Sequence, residues 1–439
     1  MLLKGLLKKT VKSWRNSLFM DTKRLALLIT GHFAILLITY LIFLKLGIFT
    51  AVPDTTNVIS EDAGWYHGIK VYGYQFIEAS RCNLAFFPMF PYLWRYSHLS
   101  GLGISIANLL LYAASVGILF HRTKTSWIYL LAILGIPSLI FMFLPYSESL
   151  FFFFGTLIIT GYRRSKNKLI LIGFLGACLT RSVSLMFIPA LIITELIFWL
   201  NTGAPKNTII KRILLYCGMC VTGTAIVVLM EWAQTHKWFY YLSVQKYWNR
   251  TLQWPSFPMT TLSEKIVLGI DGASVIIGLI AGWFVLRWIM GALGFTQKKA
   301  DQNNQADRGV YFSALCLAAT AVVDIFFTYQ VNGQTNIWSI NRHILCTPFA
   351  LYFLSWFNTT YLTSKLDLFF IALCVVLGSY FTGVFYFPNQ MYFYFIFFIG
   401  FFASRYFPKL RFSLVILYAL NLFLQLIYYH AFLNQRWIG

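Results

Sequence analysis

Residues 26–49 read ALLITGHFAILLITYLIFLKLGIF, a run of 24 residues whose only formal charge is Lys45. A helix crosses the hydrocarbon core of a bilayer with about 20 apolar residues. This run is therefore a membrane span, and it sets the pattern for the chain. Comparable apolar stretches recur near 101–120, 127–145, 149–162, 169–183, 185–200, 213–230, 268–290, 310–329, 344–357, 367–386, 389–403 and 412–431. Together they predict an all-α polytopic integral membrane protein of about 13 spans, in the range of roughly 11 to 13 since several stretches are short. The runs are continuous rather than alternating at period two, which argues against an outer-membrane barrel.

Composition agrees. Of the 439 residues, 59% are hydrophobic and 11% charged, with a mean hydropathy of +0.67. A soluble domain carries about a quarter charged residues. A water-soluble surface of this extent cannot be made from so few. The net charge of +21 would suggest a nucleic-acid partner in a soluble protein; here it follows from basic cytoplasmic loops, and no nucleic acid is expected. Six of the seven cysteines fall in apolar runs, so a disulfide framework is not expected. Cys217 and Cys220 form a CxxC with no second pair nearby, which reads as helix packing rather than a zinc site.

The N-terminal segment 1–24, MLLKGLLKKTVKSWRNSLFMDTKR, sets Leu3, Leu6, Leu7, Val11, Trp14 and Leu18 at helical spacing against Lys4, Lys8, Lys9, Lys12 and Arg15. That pattern predicts an amphipathic helix on an anionic leaflet. Residues 25–439 read as one transmembrane domain. With the N-terminus inside, the inside segments hold about 24 of the 35 basic residues, as the positive-inside rule requires. The N-terminus is then cytoplasmic and the C-terminus extracytoplasmic. Asp54, Glu61, Asp62, Glu78, Glu148, Glu231 and Glu264, half of the 14 acids, fall at the outer face. Acids contribute little to topology, so their clustering points to recognition or chemistry there, with loops 51–100 and 231–267 forming the active face.

The first of these loops is the richest stretch. Residues 60–95, SEDAGWYHGIKVYGYQFIEASRCNLAFFPMFPYLWR, set Glu61, Asp62, His67, Lys70, Glu78 and Arg81 among aromatic rings. Rings suit a membrane interface, and they also suit the apolar faces of a sugar. The prolines of FFPMFP predict a broken or re-entrant start to the second span.

This loop resembles the first-loop signature of the PIG-V-like mannosyltransferases, in which W-D is followed by G-Y and then F-F-P-x-F/Y-P. Asp62, Gly73-Tyr74 and Phe86-Phe87-Pro88 stand in register, while Glu61 replaces the usual tryptophan. PYSESLF (145–151) resembles the family's acidic P/Y-S/T-E motif through Glu148. LTRSVSLMFIP (179–189) resembles its T-R-S-x-G element through Arg181, with Ser184 in place of glycine. FYYLSVQKYWNR (239–250) matches through Gln245, Trp248 and Arg250. SINRHILCTPF (339–349) matches through Arg342, with His343 at a tyrosine position. The matches follow family order over most of the chain, and charge counting alone had assigned them all to the outer side.

The resemblance implies a GT-C fold and an inverting glycosyltransferase, most simply a mannosyltransferase. Its donor would be a polyprenyl-phosphate sugar and its acceptor a lipid or glycolipid, on the extracytoplasmic face of a bacterial plasma membrane or of the endoplasmic reticulum. A polyprenyl phosphate is a good leaving group, so the main requirement is a base for the acceptor hydroxyl, and Asp62 is the candidate. Arg342 and Arg181 are the expected phosphate ligands and Arg250 a third, since a guanidinium meets phosphate bidentately. Glu61, His67, Glu148, Gln245, Trp248 and His343 complete the expected donor- and acceptor-binding set. No metal or cofactor is expected, although Asp54, Glu61 and Asp62 are chemically able to hold Mg²⁺. Asp324, Asp271 and Glu195 sit in apolar runs, where contact with an arginine or substrate and an interhelical hydrogen bond are both open roles. The competing reading is a transporter or flippase of a lipid-linked sugar. Such proteins show repeated halves and midplane acids; no repeat is visible here.

Overall fold

The computed structural model describes residues 20–182, 186–261, 265–295, 307–359, 365–383, 394–436 and 438. Most of the N-terminal amphipathic stretch, Ser184, Glu264, much of the loop 292–309 and the start of the 389–403 stretch lie outside these residues.

The chain is all-α in its membrane part. Helix α1 runs Thr22–Lys45, followed by α2 (Asp62–Tyr72), α3 (Met89–Ser97), α4 (Gly101–Phe120) and α5 (Trp127–Leu134). Then come α6 (Glu148–Arg164), α7 (Asn167–Thr180), α8 (Phe187–Thr202), α9 (Lys206–Thr235) and the single turn α10 (Tyr240–Ser243). Helices α11 (Lys265–Ala292), α12 (Arg308–Phe326), α13 (Ile340–Leu345), α14 (Pro348–Thr359) and α15 (Lys365–Phe381) follow. The last two are α16 (Tyr394–Ala403) and α17 (Ser413–Leu433). Among the described residues, 6 helices are long and apolar enough to cross a membrane, and up to 7 if one bent pair counts as a span. Helices α7, α8, α15 and α16 are apolar but shorter.

Three expectations shift. The first span starts four residues earlier than hydropathy placed it. Asp21 accepts from the Arg24 N–H and caps the helix, so Thr22–Arg24, expected in the interfacial helix, belong to α1. The 127–145 stretch is not one helix. It stops at Gly135 and resumes as a 3₁₀ segment, Pro137–Phe143, which is bent 100° from α6. Pro137 has no N–H to continue an α-ladder. The 344–357 stretch is likewise two helices, divided before Pro348.

Outward-facing side chains on the spans are apolar. Leu27, Leu37, Ile38 and Leu41 of α1, and Leu214, Val221 and Leu229 of α9, are all exposed. In water such faces would aggregate; in a bilayer they meet lipid. Between helices, small residues set the spacing. A Cβ on Gly173 of α7 would come within 2.6 Å of the Ile158 side chain of α6, so these helices pack almost backbone to backbone.

The loops expected on one side do meet. Met20 exchanges backbone hydrogen bonds with Arg122 and Thr123. Arg163 donates to the carbonyls of Leu119 and His121. Arg308 and Arg212 both reach the buried Glu195, at 3.5 and 3.9 Å. Asp271, on α11, accepts from both the backbone N–H and the side-chain amide of Asn341 at the start of α13. Glu195 and Asp271 thus hold helix to helix, as their apolar settings suggested. Replacing Asp271 by Ala strands two buried donors, which costs about 1–3 kcal/mol. Thermal unfolding in detergent should show a lower midpoint for Asp271→Ala and a smaller drop for Asp271→Asn.

Candidate functional site

The end of the bundle opposite these loops is assembled from the outer loop and the turns between helices. Glu61 has a left-handed φ of 51° and turns the chain sharply into α2, so that Asp62 stands in the first helical turn. One turn on, Tyr66 donates to the Ser147 hydroxyl at 2.8 Å. Asn108 of α4 donates to the carbonyls of Leu144 and Tyr146. The PYSES turn is thereby held from two sides, and Glu148 enters α6 as its first residue.

These anchors bring four charged side chains into one alternating row. Arg342 of α13 donates through Nη2 to Asp62 Oδ2 at 2.7 Å. Its Nε lies 3.1 Å from Glu148 Oε1. The same oxygen accepts from Arg181 Nη1 at 2.5 Å. Arg342 and Glu148 are 8% and 2% exposed, while Asp62 is 20% exposed. Buried charges are tolerated when each meets opposite partners, and here each inner member meets two. Asp62 is the open end of the row, with Oδ1 free of hydrogen bonds among the described residues.

The row borders a cavity of about 560 Å³ lined by Glu61, Asp62, Arg181, Gln245, Trp248, Arg250, Asp324, Arg342 and His343, with an aromatic wall and Arg81 completing it. In that wall Trp65 stacks on Phe86 at 6.1 Å, and Trp248 meets both edge-on at 5.1 and 5.7 Å. The loop after α10 covers one side. Arg81 Nε donates to the Tyr247 carbonyl, and Thr251–Leu252 pairs with Phe327–Thr328 as a short two-stranded ribbon. Gln245 donates to the Tyr241 carbonyl, and its own carbonyl accepts from the Arg250 N–H.

The arginines are unequal. Arg181 and Arg342 are engaged by carboxylates. The guanidinium of Arg250 makes neither an ion pair nor a hydrogen bond among the described residues. Burial pulls its pKa down, against the field of Asp324. An unspent, partly buried cation facing a cavity is what an anionic ligand requires. Beside Asp62, burial and the Asp62 charge raise the pKa of Glu61.

His343 lies next in sequence to Arg342 and also lines the cavity. Its Nδ1 is 2.9 and 3.1 Å from the two oxygens of Asp324, at the end of α12. Asp324 is therefore part of the site rather than a helix-to-helix contact alone. His67 is not. It packs against the Trp94 ring, 5.6 Å between centroids, on the side of α2 away from Asp62, and does not line the cavity. Of the expected set, the structure brings together Asp62, Glu61, Glu148, Arg181, Gln245, Trp248, Arg250, Arg342 and His343, and leaves out His67. The sequence reading had not assigned Arg81, Trp65, Phe86, Tyr329 or Trp338 to the site. The signal for the four aromatic residues was the density of rings in the outer loops. Among the described residues no three His, Cys, Asp or Glu side chains gather as a metal would need; Asp54 is bound up with Thr56 and Asn57.

No family model, curated protein or solved structure matches this chain.

Proposed function

We propose that this chain is an inverting membrane glycosyltransferase of GT-C type. It moves a sugar, most simply mannose, from a polyprenyl phosphate to a lipid or glycolipid acceptor. The cavity then faces the extracytoplasmic side, with the N-terminus cytoplasmic and the C-terminus outside. A bacterial plasma membrane suits this arrangement best, and the endoplasmic reticulum also fits it. One observation carries the reading: an accessible carboxylate and an unspent arginine share an aromatic-walled cavity at one end of a membrane bundle.

In this scheme the acceptor oxygen attacks the anomeric carbon as the carbon–oxygen bond to phosphate breaks. The acceptor proton passes to Asp62 Oδ1, and the phosphate leaves with the bonding electron pair. Attack opposite the leaving group inverts the anomeric centre. Arg342 donates to the other Asp62 oxygen and fixes the carboxylate's direction; its guanidinium is held by Asp62 and Glu148, so it positions the base rather than gripping phosphate. Arg250 meets the phosphate, with Arg181 beside it. Trp65, Phe86 and Trp248 offer ring faces to the sugar and to the first isoprene units. Glu61, Asp62 and Asp324 gather in one cavity and the sequence shows no repeated halves, which favours transfer over transport.

The test is transfer of radiolabel from a polyprenyl-phosphate mannose to membrane lipids by the purified protein in proteoliposomes. Labelled, organic-soluble product with inverted anomeric configuration is the expected result. Movement of intact donor across the bilayer without any product would support a flippase and sink the transferase reading. Absence of both would remove mannose as the sugar, and other polyprenyl-phosphate sugars would then be tried.

A further inference from the structure

Asp324 and His343 form a pair that the transfer scheme does not use. They come from different elements, α12 and α13, yet meet at 2.9 and 3.1 Å. Both line the cavity, as Arg250 does. Asp324 also acts on Arg250 through its charge. The pair therefore stands beside the place where the donor phosphate is proposed to bind. With Nδ1–H directed to the carboxylate, the imidazole presents Nε2 as its remaining polar atom. Nε2 has no hydrogen-bond partner among the described residues.

The charges around this ring come from every element packed against it. Asp324 comes from α12, Arg342 from its own helix, Asp271 from α11, where it accepts from Asn341 two residues before His343, Arg181 from the end of α7, and Arg250 from the covering loop; Asp62 and Glu148 lie beyond Arg342. Burial depresses the pKa of His343. Asp324 opposes the depression, and Arg181 and Arg250 add to it. The net effect favours the neutral ring. A phosphate arriving at Arg250 reverses the balance, because its negative charge cancels the two arginines and offers an acceptor to Nε2–H.

We infer that His343, backed by Asp324, is a second ligand of the donor phosphate, and that it takes up one proton from solvent at Nε2 as the phosphate binds. The inference rests on the glycosyltransferase reading and adds a pH-dependent step to it. The balance is simple. One solvent proton goes to Nε2, the imidazolium donates to a phosphate oxygen, and Asp324 stabilises the new charge from behind. When the polyprenyl phosphate leaves, the proton returns to solvent. The sign follows: the phosphate-bound state has the higher histidine pKa. Affinity is therefore complete below the free-state pKa, and is lost as pH rises through the bound-state pKa.

The experiment is calorimetric titration of the detergent-solubilised full-length protein with a polyprenyl monophosphate, in two buffers of different ionisation enthalpy. Wild type and His343→Gln are compared, and the difference removes the phosphate's own ionisation, which both proteins share. The expected result is about one more proton taken up by wild type than by His343→Gln near neutral pH. Between the free-state and bound-state pKa the wild-type Kd should rise by about tenfold per pH unit relative to His343→Gln, and level off above the bound-state pKa. Asp324→Asn keeps the histidine and loses its counter-charge, so its uptake should fall between the two. Equal uptake by wild type and His343→Gln, with binding intact, overturns the inference and leaves the transferase reading standing. No binding of the monophosphate by wild type overturns both.

Discussion

Asp62→Asn should lose transfer by about 10²- to 10⁴-fold in kcat, with donor affinity little changed. Asn has nearly the same volume, and its side-chain oxygen can still accept from Arg342 Nη2, which lies 2.7 Å from Asp62 Oδ2 in the wild type. What disappears is the group that receives the acceptor proton. Removing one member of a fully buried ion pair costs about 3–5 kcal/mol; Asp62 is 20% exposed, and Arg342 keeps Glu148, so the loss of stability should be well below that. Size-exclusion behaviour and donor binding should therefore match the wild type while turnover collapses. Retention of more than a tenth of wild-type kcat would take the role of base away from Asp62. Glu61 would then be examined, since it lies on the same cavity and its raised pKa suits a proton acceptor.

The same row of charges explains what the amino-acid sequence could and could not convey. Hydropathy located most of the described helices to within about seven residues at either end, because it is a local sum, although only 6 of them, or up to 7, are long and apolar enough to cross a membrane. Hydropathy placed α1 late because a capping aspartate, Asp21, has no hydropathic signature. It ran two elements together at 127–145, although Gly135 and Pro137 were visible as breakers. The grouping of acids at one end was legible, since loops alternate between faces. The pairing was not. Asp62 and Arg342 are 280 residues apart, and nothing in either segment says that this arginine is held by carboxylates while Arg250 is not. His67 misled for the opposite reason. It is only five positions from Asp62, but that spacing puts it on a different side of the helix, against Trp94 rather than the cavity. Asp324 illustrates the same limit: alone in an apolar run it reads equally as a contact to an arginine or substrate and as a packing hydrogen bond, and only the fold sets it behind His343.

That inequality among the arginines makes the second large effect specific. Arg250→Gln should raise the donor KM by roughly 10- to 100-fold, the equivalent of losing a charged hydrogen bond of about 1.5–3 kcal/mol. It should leave the fold intact, because the Arg250 guanidinium makes no ion pair or hydrogen bond among the described residues. Arg342→Gln should behave differently. It removes the shared partner of Asp62 and the buried Glu148, so thermal stability and kcat should fall together. Arg250→Lys separates charge from shape: a point charge restores part of the affinity, whereas a bidentate grip is not recovered. Initial rates against donor concentration, set beside thermal unfolding midpoints, distinguish the two positions. If Arg250→Gln leaves donor KM unchanged while Arg342→Gln raises it with no loss of stability, the phosphate sits on the carboxylate-bound arginine instead. The row Asp62–Arg342–Glu148–Arg181 would then have to open when donor binds, and Asp62 would be released from its arginine at the moment it is needed as a base.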